Sequence, residues 1–331
     1  KGNKEMDVTI VIPTKNAGQM FKGVLEAIIN QDTDKSFEII CVDSGSKDDT
    51  LNIIKSFPEV RLAEIPPQEF GHGKTRNYGA SLGSGEFIVF ITQDALPASD
   101  KWLDNLVDAV AADPLCAGGF GIHYPYENCN IFDKRDLKLH FNGFGQDNTY
   151  YWINDWNRYR NDEGYRHMLA FYSDNNSCMR RSIWEKIPYD DVNFAEDQFW
   201  ARKIIELGYH KVYAAHAPVY HSHNYKVSSY FKRYYDEYKG LYDLHRFIIL
   251  RSAWLILPAI CKHVVCDIKY INKCRNELSL KERIYWTFYS IGRNFGRYVG
   301  GWLGGNYHRY SPQKQARLNK SISQQYKQIR Q

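Results

Sequence analysis

Four short apolar runs, near residues 8–12, 37–42, 60–65 and 86–91, alternate with helical stretches near 17–30, 48–57, 73–83 and 100–112. The runs are continuous rather than alternating, as expected of strands buried on both faces. Strand–helix alternation of this kind requires right-handed crossovers. The fold class is therefore α/β: a Rossmann-like mixed, mainly parallel sheet flanked by helices. Ligands of such sheets bind outside the carboxyl ends of the strands. Residues 116–170 read less clearly, with Gly118, Gly119 and Gly121 after a candidate strand and aromatic, Asn-rich segments from Tyr124 to Tyr165. Long irregular stretches of that kind are often lids or substrate loops. A short helix near 180–186, a helix near 195–207 and strands near 210–214 and 218–222 complete the body.

The chemistry-bearing residues fall where those strands end. Pro13-Thr14-Lys15-Asn16 closes the first run, and a proline there stops the ladder and frees backbone groups for a ligand. Asp43-Ser44-Gly45-Ser46 closes the second. Asp43 is suited to accept the N3–H of a uracil or thymine, Ser44 and Ser46 to reach ribose or phosphate, and Asp48 or Asp49 to cap the next helix. Lys74 and Arg76 open the third helix behind glycines, a setting that favours a diphosphate. Asp94, after Gln93 at the end of the fourth run, is a hard oxygen ligand suited to Mg²⁺ or Mn²⁺. Glu196 and Asp197 begin a helix, where free N–H groups hold carboxylates and one of the pair can act as general base. His221-Ser222-His223 places two imidazoles on one face of a strand, and one of them can complete a metal shell. Each feature has an ordinary structural reading as a cap or turn, and their fixed order carries the inference.

Several classes are excluded or disfavoured. No G-x-G-x-x-G follows the first strand, which argues against a dinucleotide cofactor, and no Walker spacing or nucleophile elbow occurs. The seven cysteines are odd in number and form no C-x-x-C pair, so neither a disulfide framework nor a zinc site is indicated. With no signal-peptide pattern and no apolar stretch of about 18 residues, the expectation is a cytoplasmic chain without a membrane-crossing helix. From Asn224 onward 20 Lys and Arg stand against 6 Asp and Glu, while the rest of the chain is acidic. Two domains are expected, 1–223 catalytic and 224–331 helical and basic, the latter a membrane-surface or assembly element. Anionic lipid is the favoured target, and the same helices are candidates for homo-oligomer contact. Nucleic acid is not, because no nucleic-acid-binding signature is present. Ser279 and Glu282 read as a capping box, and Gly292, Gly296, Gly300 and Gly304 bare one helix face for close packing.

Together Val11-Ile12-Pro13-Thr14-Lys15-Asn16, Asp43-Ser44-Gly45-Ser46-Lys47-Asp48, Gln93-Asp94 and Glu196-Asp197 resemble the inverting glycosyltransferases of family 2, with the GT-A fold, over roughly 7–223. Phe70-Gly71-His72-Gly73-Lys74-Thr75-Arg76-Asn77 and Thr92-Gln93-Asp94-Ala95-Leu96-Pro97 look like the bacterial rhamnosyltransferase branch. That resemblance implies a dTDP-β-L-rhamnose donor, a divalent metal and transfer to a hydroxyl of a lipid-linked or oligosaccharide acceptor in cell-surface polysaccharide synthesis. It implies an enzyme attached peripherally to the inner face of the plasma membrane. By position, Asp43 would contact thymine with Thr14 and Asn16 nearby, Asp94 would hold the metal, Asp197 would be the base and Glu196 its support. The family's usual aspartate pair is here Gln93-Asp94, and the Gln-x-x-Arg-Trp of processive members is absent. Asn175 and Asn176 sit where acceptor-facing residues are expected, and Trp152 and Trp156 are candidates for stacking on acceptor sugar. A UDP-sugar donor, or a non-enzymatic sugar- or membrane-binding module, are the competing readings.

Overall fold

The structure is a computed structural model that describes residues 6–192 and 194–324. Those residues form two compact units, 6–192 with 196–223, and 194–195 with 224–324.

In the first unit the apolar runs become β1 (Val8–Thr14), β2 (Phe37–Asp43), β3 (Val60–Glu64) and β4 (Phe87–Ile91). They are joined by α1 (Met20–Ile29), α2 (Thr50–Lys55) and α3 (His72–Ser81). The chain continues through β5 (Leu96–Pro97), α4 (Trp102–Ala111), β6 (Cys116–Tyr124), α5 (Ile131–Asn142) and β7 (Thr149–Tyr151). It closes with α6 (Trp156–Asn161), α7 (Glu163–Ala170), β8 (Asn176–Arg180), α8 (Arg181–Trp184), α9 (Glu196–Glu206) and β9 (His210–Tyr220). One sheet takes the order β3-β2-β1-β4-β8-β6-β9-β5, with β7 beside β9. β1 to β4 pair in parallel, β8 is antiparallel to both β4 and β6, and β9 is parallel to β6. The carboxyl ends of β1, β2, β3, β4, β6 and β9 therefore share one edge with the start of β8.

The continuous apolar runs bury both sheet faces. Ile10, Ile12, Ile39, Cys41, Val89 and Ile91 pack with α1 and α4 through Phe21, Val24, Leu25, Trp102 and Leu106. Val11, Ile40, Val42 and Phe90 face the other way and pack with Ala80, Tyr189, Trp200 and Ile204. The buried thiols of Cys41 and Cys178 are pushed up by burial and act as small apolar groups.

Four expectations are corrected. Pro13 does not end the first strand: it lies opposite Val42 inside β1, which runs on beside β2 to Thr14, and only the β1–β4 pairing stops short, at Val11 with Phe90. Residues 116–170 are not one irregular loop but a strand, a helix, an edge strand and two short helices. The Asn-Ser-Cys run becomes the central strand β8, and the two predicted last strands are one, β9.

The second unit is helical: α10 (Val227–His245), α11 (Ile256–Lys273), α12 (Leu280–Phe295), a π turn at Gly296–Gly300, α13 (Gly301–Gly305) and α14 (Pro312–Ser321). Ser279 and Glu282 form the expected capping box. The glycine face is a packing face: a Cβ on Gly300 would stand 2.4 Å from the Phe231 carbonyl oxygen, and one on Gly304 2.2 Å from that of Tyr235.

Candidate active site

The carboxyl edge gathers two side-chain clusters. In the first, Asp94 follows β4, and His221 and His223 follow β9, just beyond the strand on which they were expected. His221 Nε2 stands 3.6 Å from Asp94 Oδ1 and His223 Nδ1 3.7 Å from Oδ2. One donor atom from each of the three lies within 4.8 Å of the others. These separations exceed ordinary hydrogen bonds and suit ligands converging on one cation. Two imidazoles and a carboxylate fit a divalent transition ion better than Mg²⁺, which prefers all-oxygen shells. Asn175 Nδ2 lies 3.4 Å from His221 Nδ1, leaving Nε2 toward Asp94. His123 packs edge-on to His221, and burial, helped by His221, holds its pKa well below the usual value.

The second cluster is a buried set of three carboxylates around one guanidinium. Arg76 Nη1 donates to Glu196 Oε1 at 2.5 Å, and its Nε lies 3.3 Å from Asp174 Oδ2. Asp174 also accepts from Tyr189 at 2.6 Å and Ser177 at 2.7 Å. Its backbone N–H donates to Asp197 Oδ2 at 3.3 Å. Burial first, then Glu196 and Asp174, pushes the Asp197 carboxyl well above the ordinary carboxylate range. Burial likewise raises Asp174, against the pull of Arg76. Burial opposes the charge on Arg76, but Asp174 and then Glu196 outweigh it and hold the guanidinium charged. A raised, partly accessible carboxylate at a helix start is chemically suited to accept a proton near neutrality. Ala195, just before the pair, has φ +57, a left-handed backbone that costs a non-glycine residue about 1–2 kcal/mol.

Asp174 and Asn175 are consecutive, so the segment entering β8 ties the two clusters together. Pairing of Ile91 with Asn176 sets that segment opposite the end of β4, where Asp94 begins. Tyr189 and His123 were not expected in the site, and Asp174 was expected only within an acceptor-facing segment, not beside Arg76 and Glu196. Asp174 was hidden because Asp-Asn-Asn-Ser reads as a polar turn, and only the β4–β8 pairing brings it to the edge.

Other expected residues land differently. Arg76 is corrected from a diphosphate ligand to a buried counter-ion, 5% exposed. Asp43 is fully buried, and its carboxylate accepts four hydrogen bonds, from Thr14 Oγ1, Gly45 N–H, Ser46 N–H and Ser46 Oγ. That fills a carboxylate's acceptor positions, so Asp43 shapes the loop instead of offering an open acceptor to a nucleobase. Gly45 turns there at φ +90, where any Cβ would also meet Pro67 at 2.6 Å. Ser44 donates to the Thr14 carbonyl, and Asn16 exchanges hydrogen bonds with Ser46 and Lys47. Gln93, a candidate nucleotide ligand standing where the family usually has a second aspartate, holds the Lys15 backbone through both ends of its amide and so sets the β1 loop. Lys74 is exposed and lines a cavity of about 280 Å³ with Glu64, Ile65, Pro66, Glu69, Thr75 and Tyr78.

The acceptor assignments fare worse. Asn176 is fully buried, with its amide bonded to Trp102 Nε1 and the Ala217 carbonyl, so it is a core residue. Trp152 stacks on His210 at the start of β9, and at roughly 3.3 Å per residue that lies on the order of 30 Å from His221. Trp156 packs edge-on to Tyr159, whose hydroxyl donates to Glu206 at the far end of α9 from Asp197. Both indoles therefore sit at the opposite end of the sheet, and only Asn175 of the four stays in the site.

Comparison with known proteins agrees with this architecture. Residues 9–187 match the sequence profile "Glycosyl transferase family 2". The O-antigen chain rhamnosyltransferase RfbN of Salmonella typhimurium is 34% identical over 235 residues, 70% of this chain and 71% of its own. WbaN of Salmonella anatum, also an O-antigen chain rhamnosyltransferase, is 32% identical over 233 residues, 69% of this chain and 70% of its own. Among solved structures, residues 1–349 of Staphylococcus aureus TarS in complex with UDP-GlcNAc share the fold at a TM-score of 0.53 and 14% identity, over 92% of both chains. The chain belongs to glycosyl transferase family 2 and is a glycosyltransferase of the GT-A fold.

Proposed function

We propose that this family 2 enzyme moves L-rhamnose from dTDP-β-L-rhamnose, with inversion, to a hydroxyl of a lipid-linked glycan in cell-surface polysaccharide synthesis. The observation that carries the reading is the coupling of the Asp94–His221–His223 cluster to the Asp174–Glu196–Asp197 cluster through consecutive Asp174 and Asn175. The two Salmonella relatives, both named as rhamnosyltransferases, support rhamnose as the sugar. The cytoplasmic face of the plasma membrane is the proposed location. Among the described residues no helix is long and apolar enough to cross a membrane, which is compatible with peripheral attachment.

The chemistry follows from the side chains. Asp197 takes the proton of the acceptor hydroxyl as its oxygen attacks the anomeric carbon on the face away from dTDP, turning a β-linked donor sugar into an α-rhamnoside. Its raised pKa makes it a stronger base than an exposed carboxylate. The Asp174 N–H holds its carboxylate, and Arg76 in turn holds Asp174 and Glu196. Asp94, His221 and His223 would hold Mn²⁺, or Mg²⁺ less well, and the bound ion would neutralise charge on the departing diphosphate. Lys74, in the first turn of α3, is the accessible cation for the same diphosphate. Thr14, Asn16, Asp43, Ser44 and Gln93 shape the loops against which the nucleoside would lie, and Asn175 faces the acceptor.

A donor panel tests this. Thermal shift and nucleoside-diphosphate release are measured with dTDP- and UDP-sugars, with and without Mn²⁺ or Mg²⁺. Selective stabilisation and turnover with dTDP-rhamnose, dependent on Mn²⁺ and lost in Asp94→Ala, is expected. Preference for a UDP-sugar would reject the donor while leaving the family intact.

A further inference from the structure

The α11–α12 hairpin has inverted polarity. Its inner side is polar: Asp267 Oδ2 accepts from Ser290 Oγ at 2.7 Å and from Asn294 Nδ2 at 2.9 Å, and Arg293 is buried beside them. Its outer side is apolar. On α12, Leu280, Ile284, Phe288, Ile291 and Phe295 recur at helical spacing, and Leu280 and Phe288 are each 70% exposed. Leu257 and Val265 line the exposed side of α11, and Trp254, just ahead of it, is 74% exposed. A helix normally turns such a stripe to the core. Here the core side carries the hydrogen-bonded Asp267–Ser290–Asn294 network, so the apolar stripe is built for something outside the chain.

Charge identifies the occupant. Lys262, Lys269, Lys273, Arg275 and Lys281 are exposed on the same hairpin. Of its acids, Asp267 is buried and Glu282 is held by Ser279 in the capping box, which leaves Glu277. A second copy of the chain would set this cationic face against itself. An anionic phospholipid surface matches both features, taking the apolar stripe into its acyl boundary and the lysines among its head groups.

We propose that the outer face of α11–α12 is a membrane-docking surface that lies in the plane of an anionic bilayer, inserting Ile284, Phe288, Ile291 and Phe295. This deepens the proposed membrane location and rests on that reading for its purpose. The test needs neither donor nor acceptor, so it can fail independently of the glycosyl-transfer reading. The full chain is sedimented with vesicles of phosphatidylglycerol and phosphatidylethanolamine, and with phosphatidylcholine alone. The expected result is binding to the anionic vesicles only. That binding should fall at least tenfold in Ile284→Asp/Phe288→Asp and several-fold in Lys262→Glu/Lys269→Glu, with unchanged thermal transitions because these side chains are exposed. Absence of binding by the wild type, or wild-type binding by Ile284→Asp/Phe288→Asp, would overturn the proposal. So would a wild-type dimer in sedimentation velocity that Ile284→Asp/Phe288→Asp dissociates, since a second copy would then own the face.

Discussion

Arg76→Met separates the buried counter-ion from the diphosphate ligand that the sequence pointed to. The side chain is 5% exposed, and its guanidinium is the one cation in direct contact with both Asp174 and Glu196 among the described residues. Removing one partner of a buried pair costs about 3–5 kcal/mol, because the partner charge stays buried without compensation. The first unit spans about 215 described residues (6–192 with 196–223). At about 2.1 cal/mol/K per residue its unfolding entropy is about 0.45 kcal/mol/K, so the loss lowers Tm by about 7–11 °C. The deficit carries a pH signature. Without Arg76 the carboxylates, already raised in Asp174 and Asp197, rise further. The folded state then holds protons that the unfolded state releases, so the variant loses stability as pH rises from the ordinary carboxylate range through the raised values. Calorimetry should therefore show a larger deficit at about pH 8 than at about pH 5. Arg76→Lys should recover part of it. A Tm change under about 2 °C, or a deficit independent of pH, with a raised donor KM instead, would restore Arg76 as a diphosphate ligand and refute the counter-ion reasoning.

Asp197→Asn should lower kcat by at least about 10²-fold, as loss of a general base does, and should raise Tm at neutral pH by removing one of three crowded carboxylates, a gain that shrinks as pH falls from the raised pKa to the ordinary carboxylate range. Steady-state rates and calorimetry check both. Trp152→Ala should leave acceptor KM within about twofold, since the indole lies far from the site, whereas Asn175→Ala should raise it. Asn176→Ala should lower stability by about 1–3 kcal/mol in urea titration, since it strands Trp102 Nε1 and the Ala217 carbonyl.

Where local pattern decides structure, the sequence was legible. Continuous apolar runs specify β1 to β4, and Asp94, His221 and His223 just past strand ends, with Asp197 at a helix start, were singled out by local pattern and lie at one sheet edge. What the sequence hid are contacts made by pairing across long separations. β8 looks like a turn because its exposed-seeming Asn176 and Ser177 are satisfied by Trp102 and Asp174, partners far along the chain or concealed by the strand. Arg76 reads as a ligand because basic residues at helix starts favour anions, and only the folded arrangement sets it under Glu196. Trp152 failed for the opposite reason: an exposed aromatic in a loop suggests a sugar platform, but β7 pairs with the wrong end of β9 for that role.

The most direct measurement is an NMR time course of dTDP-β-L-rhamnose with Mn²⁺ and lipid-linked glycan from a polysaccharide-producing bacterium, comparing wild type with Asp197→Asn and Asp94→Ala. An α-rhamnoside that forms in step with dTDP in the wild type, and is absent in both variants, is the predicted result. Retention as a β-rhamnoside, or undiminished transfer by Asp197→Asn, would contradict an inverting reaction driven from this pair of clusters.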